Sequence, residues 1–141
     1  MIDCDFYHEE FYPDGFLEEL PRYKGKPVFI TENGVSCDDD RIRVAYLARH
    51  LAALRDAMDQ GVDLRGYIHW SFLDNYEWGT FKPRFGLVHV DFDTFKRTPK
   101  PSAYFYRDII EHRGITKELR DRYVAPLSDI VTYERPVKSG S

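Results

Sequence analysis

The chain has 141 residues, of which 43% are hydrophobic and 16% are aromatic, and its formal net charge at pH 7 is -4. This length and this hydrophobic share predict one globular domain with a substantial core. Basic residues are spread along the chain and form no patch, so the composition argues against a protein that binds nucleic acid or an anionic membrane.

The cysteines and the first residues indicate a reducing compartment. Cys4 and Cys37 are the only cysteines and lack CxxC spacing, so they predict neither a disulfide framework nor a zinc site. The first residues have neither the basic nor the apolar region of an export signal, and no apolar run approaches the length of a membrane span. We therefore expect a cytoplasmic protein.

Residues 1–12 show neither a helical nor a strand period, and they predict a loop. His8 lies among three acids that offer metal-ligating oxygens: Asp3, Asp5 and Glu9. There is no second histidine at a helical offset, so a solvated loop is the better interpretation and no metal site is predicted.

A short helix and a buried strand follow the loop. Residues 16–20 are amphipathic and end at Pro21, and residues 27–32 are rich in the β-branched and aromatic types of a strand, which the Asn33-Gly34 pair then stops. If the strand belongs to a parallel sheet, Glu32 lies at its C-terminal end, where α/β proteins place their chemistry. Glu32 is thus a candidate catalyst, and the alternative is a solvated glutamate beside a turn.

The next segment predicts a strand, a helix and a second strand. Apolar residues recur at steps of three and four over residues 41–60, with Arg43, Arg49, Arg55 and Asp56 left for the opposite face, and Gly61 ends the helix. Residues 38–40 are three aspartates that fit a helix cap, because the glycine and distal glutamate of a calcium loop are missing. Residues 66–71 read as a strand, so two parallel strands have neighbouring C-terminal ends.

Residues 72–86 predict a long loop that is crowded with aromatic and charged side chains. Loops of that length in compact domains are usually functional. Glu77 and Trp78 together offer a carboxylate for sugar hydroxyls and a ring for the apolar face of a pyranose. For Phe72, Tyr76 and Phe81 we favour ordinary packing against one another.

The remaining chain predicts smaller elements. Residues 87–92 predict a short strand that forms one arm of a hairpin, and residues 93–94 predict a turn. Residues 98–113 predict a helix that begins at a proline-rich stretch and ends at Gly114, and we expect it to cover the second strand. Residues 115–124 predict one or two charged helical turns. From residue 126 the composition is polar and irregular, and we expect a mobile tail.

Four motifs, in this order and spacing, resemble the C-terminal part of glycoside hydrolase family 1, the β-glucosidase family. They are Ile-Thr-Glu-Asn-Gly at residues 30–34, Trp-Ser-Phe-Leu-Asp-Asn-Tyr-Glu-Trp at 70–78, Arg-Phe-Gly-Leu at 84–87 and Lys-Pro-Ser-Ala at 100–103. The resemblance runs from about residue 7 to residue 113. It implies an α/β fold, namely the last two βα units of a (β/α)8 TIM barrel, with a partial barrel domain over residues 1–125 and an irregular tail over residues 126–141.

The resemblance also implies the chemistry. Glu32 looks like the nucleophile of a retaining β-glycosidase, Trp70, Glu77 and Trp78 look like residues that bind the glycone, and Phe85 lines the site. The family uses no metal and no organic cofactor. The implied substrate is a terminal β-D-glycoside.

The resemblance leaves part of that machinery outside the chain. Retaining hydrolysis uses two carboxyl groups about 5 to 5.5 Å apart, and the family's acid/base lies in an Asn-Glu-Pro motif that this sequence does not contain. A complete barrel has about 250 residues. We therefore expect a fragment that is inactive alone and aggregates, associates with itself or binds the missing N-terminal barrel part.

Two alternatives remain open. One is a non-catalytic module that binds carbohydrate or completes a barrel made as a separate chain. The other is an esterase that uses Ser71 with His69 or His89, although the Gly-x-Ser-x-Gly elbow of such enzymes is missing.

Overall fold

A computed structural model describes the backbone of residues 2–3 and 8–127, and the side chains from Glu10 to Leu127. Its strands are β1 (Ile2–Asp3), β2 (His8–Glu9), β3 (Pro27–Asn33), β4 (Asp63–His69), β5 (Val88–Val90) and β6 (Arg97–Pro99). Its α-helices are α1 (Gly15–Glu19), α2 (Asp40–Asp59), α3 (Pro101–His112) and α4 (Lys117–Leu119). A 3-10 turn (Leu20–Tyr23) follows α1, and a π-helical turn (Arg120–Val124) and a 3-10 turn (Ala125–Leu127) follow α4.

The centre of the molecule is a parallel pair of strands, β3 and β4, joined by the long helix α2. Ile30 lies opposite Tyr67 and Asn33 lies opposite His69, so the two strands end side by side. This confirms the predicted strand, helix and strand. The second strand is displaced from its predicted range of residues 66–71, because beyond His69 the chain leaves the sheet and Ser71 donates its N–H to the carbonyl of Phe85, 3.1 Å away.

The hydrophobic core lies on one face of this strand pair, between the strands and the helices. Its largest cluster joins α2, α3 and the C-terminal turns and consists of Val44, Ala45, Leu47, Ala48, Leu87, Phe105, Ile109, Leu119 and Leu127. The opposite face is uncovered: Phe29 and Ile68 are both 59% exposed. Apolar side chains of this size at the middle of two parallel strands are the expected filling of a larger sheet or barrel.

The ends of α2 follow the sequence closely. Asp39 caps the helix by accepting the N–H of Arg41 at 3.0 Å, as the acidic run predicted. Gly61 adopts a φ of +94° just past the C-terminus, which a residue with a side chain adopts only under strain. None of the helices among the described residues is long and apolar enough to cross a bilayer.

Several predictions of local structure were wrong. Arg43 was assigned to the exposed face of α2 but is fully buried. Residues 1–12 are not all loop, since β1 pairs with β2, and the hairpin partner β6 of strand β5 was missed. Residues 125–127 form a helical turn where the irregular tail was expected to begin. The predicted mobility of the tail concerns residues 128–141, which lie outside the described residues. The rejected metal ligands lie between residues 3 and 9, whose side chains are also outside the described part of the chain.

Candidate active site

The C-terminal ends of β3 and β4 are joined by a close backbone contact. The N–H of Trp70 donates to the carbonyl of Asn33 at 2.9 Å. Gly34 follows directly, and a Cβ atom placed there would lie 1.6 Å from the carbonyl oxygen of Trp70. The glycine that stops the strand in the sequence is therefore required by the approach of the two chains, and its own φ is not positive.

One cavity of about 340 Å³ lies at this junction. All five residues that the sequence singled out for the site line it, together with Asn33, Gly34 and Tyr46. They differ in exposure: Glu32 and Trp78 are exposed, Trp70 is 37% exposed, and Glu77 and Phe85 are buried. The lining of the cavity thus includes two carboxylates and four aromatic side chains.

Glu77 and Trp70 form the polar centre of the cavity. The indole Nε1–H of Trp70 donates to Oε1 of Glu77 at 2.9 Å, which holds the two side chains together. The backbone of Glu77 exchanges two hydrogen bonds with Thr80, at 2.8 and 3.1 Å, closing a tight turn. Trp78 sits in that turn with a φ of +46° and is 88% exposed, so its ring stands at the rim of the cavity.

Asn33 anchors the junction through its side chain. Its Oδ1 accepts from the hydroxyl of Tyr67 at 2.8 Å, and its Nδ2 donates to the hydroxyl of Tyr46 at 3.1 Å. This network ties β3 to β4 and to α2 beside Glu32. Sequence reasoning used Asn33 only as a strand stop and overlooked Tyr46, because their contact joins residues on two different elements.

Phe85 is placed by hydrogen bonds to the main chain of its neighbour Arg84. The N–H of Arg84 donates to the hydroxyl of Ser36 at 3.0 Å, and its carbonyl accepts the N–H of Cys37 at 3.3 Å and a guanidinium N–H of the buried Arg43. The loop after β3 and the helix α2 therefore hold the part of the long loop that carries Phe85.

The structure contradicts the esterase alternative. The hydroxyl of Ser71 donates to the carbonyl of Leu73 at 2.7 Å and accepts from Asn75, so it is engaged within its own loop. Neither ring nitrogen of His69 is hydrogen-bonded to it, and His89 faces Asp74, 3.4 Å away. Burial lowers the pKa of His69 to about 3, which makes it a very weak base.

The aromatic residues of the long loop show more exposure than the packing interpretation implied. Tyr76 packs on Phe81 with ring centroids 5.1 Å apart, and Phe81 on Phe92 at 4.7 Å. Phe72, however, is 70% exposed.

Among the described residues, no three histidine, cysteine or acidic side chains come together as metal ligands would.

A parallel βαβ unit whose strand ends surround one cavity is characteristic of α/β proteins that place their site at the C-terminal ends of the strands. Comparison with known proteins gives the family. The model of glycosyl hydrolase family 1 matches residues 11–115, and the chain belongs to that family.

Relatives of known name agree with this assignment. The chain is 44% identical over 114 residues to a β-galactosidase of Sulfolobus acidocaldarius, a match that covers 78% of this chain and 23% of the relative. It is 43% identical over 115 residues to the thermostable β-glucosidase B of Thermobispora bispora, covering 73% of this chain and 24% of that enzyme.

Solved structures show the same fold. The β-glycosidase from Pyrococcus horikoshii superposes with a TM-score of 0.76 at 43% identity, over 87% of this chain and 31% of that one. The family 1 β-glucosidase from Thermotoga maritima gives a TM-score of 0.73 at 34% identity, over 82% of this chain and 30% of the other. The chain thus spans about a quarter to a third of the proteins it matches.

Proposed function

We propose that this chain supplies the nucleophile and the sugar-binding wall of a retaining β-glycosidase that hydrolyses terminal β-D-glycosides. Glu32 is the nucleophile. The observation that carries the proposal is that Glu32 shares one cavity with Trp70, Glu77, Trp78 and Phe85, at the C-terminal end of two parallel strands.

Each residue of the cavity has a role that its geometry supports. Trp78 and Phe85 offer rings on which the apolar face of a pyranose stacks. Oε1 of Glu77 accepts a hydrogen bond from the Trp70 indole N–H, so the carboxylate is oriented and still has lone pairs to accept from sugar hydroxyls. Glu32 lines the cavity with an exposed side chain at the C-terminal end of β3, where its carboxylate is accessible to a sugar bound there.

The remainder of the site comes from beyond these 141 residues. We place β3 and β4 as the last two strands of a (β/α)8 barrel, whose other strands pair with the open edges and cover Phe29 and Ile68. The acid/base carboxyl belongs to that covering part. Without it, the uncovered face favours self-association.

The cell compartment that suits this chain is the cytoplasm. The basis of this proposal is that Cys37 is a free, buried thiol, as is usual for proteins of a reducing compartment.

The 141-residue chain alone tests the first part of the proposal. We expect no turnover of nitrophenyl β-glycosides above background, because an acid/base catalyst contributes roughly 10² to 10⁴-fold and the site is incomplete. Sizing chromatography of the same preparation should show self-association. Saturable hydrolysis that vanishes in Glu32→Gln and persists in Glu111→Gln, an exposed glutamate of α3, would refute the expected inactivity.

The completed barrel tests the nucleophile. A 2-deoxy-2-fluoro glycoside with a good leaving group should form a stable ester with Glu32, because the fluorine slows both steps while the leaving group accelerates only the first. Glu32→Ala should lose ordinary turnover and regain it with added azide or formate, giving a product of inverted configuration. Peptide mapping and product stereochemistry measure the two effects. A label on Glu77, or retained configuration in the rescued product, would show that the nucleophile is misassigned.

A further inference from the structure

Asp74 is a buried carboxylate between the two segments that carry the sugar-binding residues. It lies three residues before Glu77, its side chain is fully buried, and its own N–H donates to the carbonyl of Val88 at 3.0 Å. No role in the proposed reaction accounts for a carboxylate at this depth. Its partners indicate what it does.

The partners of the Asp74 carboxylate come from residues 84–90, on both sides of Phe85, and from Lys100 just before α3. Oδ1 accepts from the N–H of Gly86 at 2.9 Å and from Nζ of Lys100 at 3.0 Å. Oδ2 accepts from the N–H of Val90 at 3.4 Å, and it also lies 3.4 Å from Nδ1 of His89 and 3.6 Å from Nη1 of Arg84.

The chain at Gly86 passes directly against this residue. A Cβ atom at Gly86 would lie 2.2 Å from the backbone nitrogen of Asp74 and 2.7 Å from its Oδ1. Gly86, directly after Phe85, therefore packs against the peptide between Leu73 and Asp74, and the carboxylate of Asp74 bonds to its N–H.

We propose that Asp74 is a positioning residue that holds Glu77 and Phe85 in register with Trp70, and so fixes the sugar-binding wall of the cavity. The proposal rests on the function given above for that wall. Asp74 does not touch the cavity, and it acts only through the two segments it joins.

Asparagine cannot replace this carboxylate. Donors converge on both oxygens, so either orientation of an asparagine amide places its NH2 group against another N–H. In Asp74→Asn the two segments should separate, and the hydrogen bond from the Trp70 indole to Glu77 should be lost. A charge-assisted bond of this kind corresponds to roughly 10- to 100-fold in an opening equilibrium.

The measurement uses the indole N–H signals of the chain in NMR. The chain has two tryptophans, so two indole cross-peaks are expected, and Trp70→Phe assigns them. In Asp74→Asn the Trp70 peak should shift upfield toward that of exposed Trp78 and exchange with solvent roughly 10- to 100-fold faster. Turnover is not measured, so failure of the glycosidase proposal leaves this result readable.

Asp108→Asn is the matched control. Asp108 is also a buried aspartate, its carboxylate accepting from Arg107 at 2.6 Å and from the hydroxyl of Tyr123 at 2.8 Å, away from the cavity. It should lower stability and leave the Trp70 peak unchanged. An unchanged Trp70 peak in Asp74→Asn, or an equal shift in Asp108→Asn, would show that Asp74 stabilises the fold only.

A second pair of variants keeps the test decisive if Asp74→Asn does not fold. Lys100→Gln removes one cation from Oδ1 and leaves the bonds from Gly86 and Val90, so exchange of the Trp70 indole should rise severalfold. Arg107→Gln makes the equivalent change at Asp108 and should not alter it. Equal exchange in these two variants would overturn the proposal.

Discussion

Gly34→Ala should separate the ends of the two central strands. The new methyl carbon would lie 1.6 Å from the carbonyl oxygen of Trp70 and 2.7 Å from its carbonyl carbon, whereas contacts under 3.0 Å force a shift. Both obstacles are backbone atoms, so no side chain can rotate away. The strands must move apart by about 1.4 Å, which takes the 2.9 Å bond between Trp70 and Asn33 beyond hydrogen-bonding distance.

The expected cost follows from these two changes. Overpacking costs about 1 to 3 kcal/mol and the lost backbone hydrogen bond about 0.5 to 1.5 kcal/mol, so the free energy of unfolding should fall by roughly 1.5 to 4.5 kcal/mol. The same movement carries Trp70 away from Glu32. In a completed barrel, a displacement of about 1 Å at a reacting site lowers kcat/KM by roughly 100-fold.

Gly61→Ala separates loss of stability from loss of geometry. Gly61 has a φ of +94° and no atom within 4 Å of its added Cβ, so alanine there strains the backbone by roughly 1 to 3 kcal/mol without touching the site. Thermal unfolding measures the stability of both variants, and tryptophan fluorescence reports on the site. Equal fluorescence and equal kcat/KM in Gly34→Ala and Gly61→Ala would refute the argument.

Two further predictions concern stability. Burial lowers the pKa of His50 to about 4 and that of His69 to about 3, so below pH 6.5 the unfolded chain binds protons that the folded chain does not. As the pH is lowered to about 4, the free energy of unfolding should fall by roughly 1.4 kcal/mol per pH unit for each histidine. Urea unfolding of His50→Phe at several acidic pH values should show a weaker dependence of this free energy on pH than the wild type shows. Arg43→Met should cost about 3 kcal/mol or more, because it strips a buried cation from Asp40 and from the carbonyls of Cys37 and Arg84, whereas Arg55→Met, at an exposed pair, should cost less than about 1 kcal/mol in urea unfolding.

The local elements could be predicted because their signals lie within a few residues. Asp39 and Gly61 mark the two ends of α2, and both act as predicted. The same logic placed Glu32 near Trp70, since strands joined by a helix of βαβ length are parallel and end together. That topological step brings the two strand ends together, whereas the roles of Glu32, Trp70 and Phe85 came from the family resemblance.

Long-range contacts could not be predicted in this way. Arg43 was assigned to solvent because arginine on a helix usually faces water, yet its guanidinium reaches the carbonyl of Arg84, 41 residues further along the chain. Asp40 was interpreted as a cap of α2, yet its carboxylate accepts the N–H of Ser102 at 2.8 Å and caps α3. Neither partner has a periodic signal, because each contact depends on how two elements pack.

The two carboxylates of the cavity have different surroundings, and this difference supports their roles. Glu77 is buried and its Oε1 is tied to the Trp70 indole, so any movement toward an anomeric carbon would break a charge-assisted hydrogen bond. Glu32 is exposed at the C-terminal end of β3, and in our proposal the rest of the barrel completes its surroundings. A carboxylate tied to a neighbouring indole suits recognition of hydroxyl groups, which leaves Glu32 as the carboxylate for covalent attack.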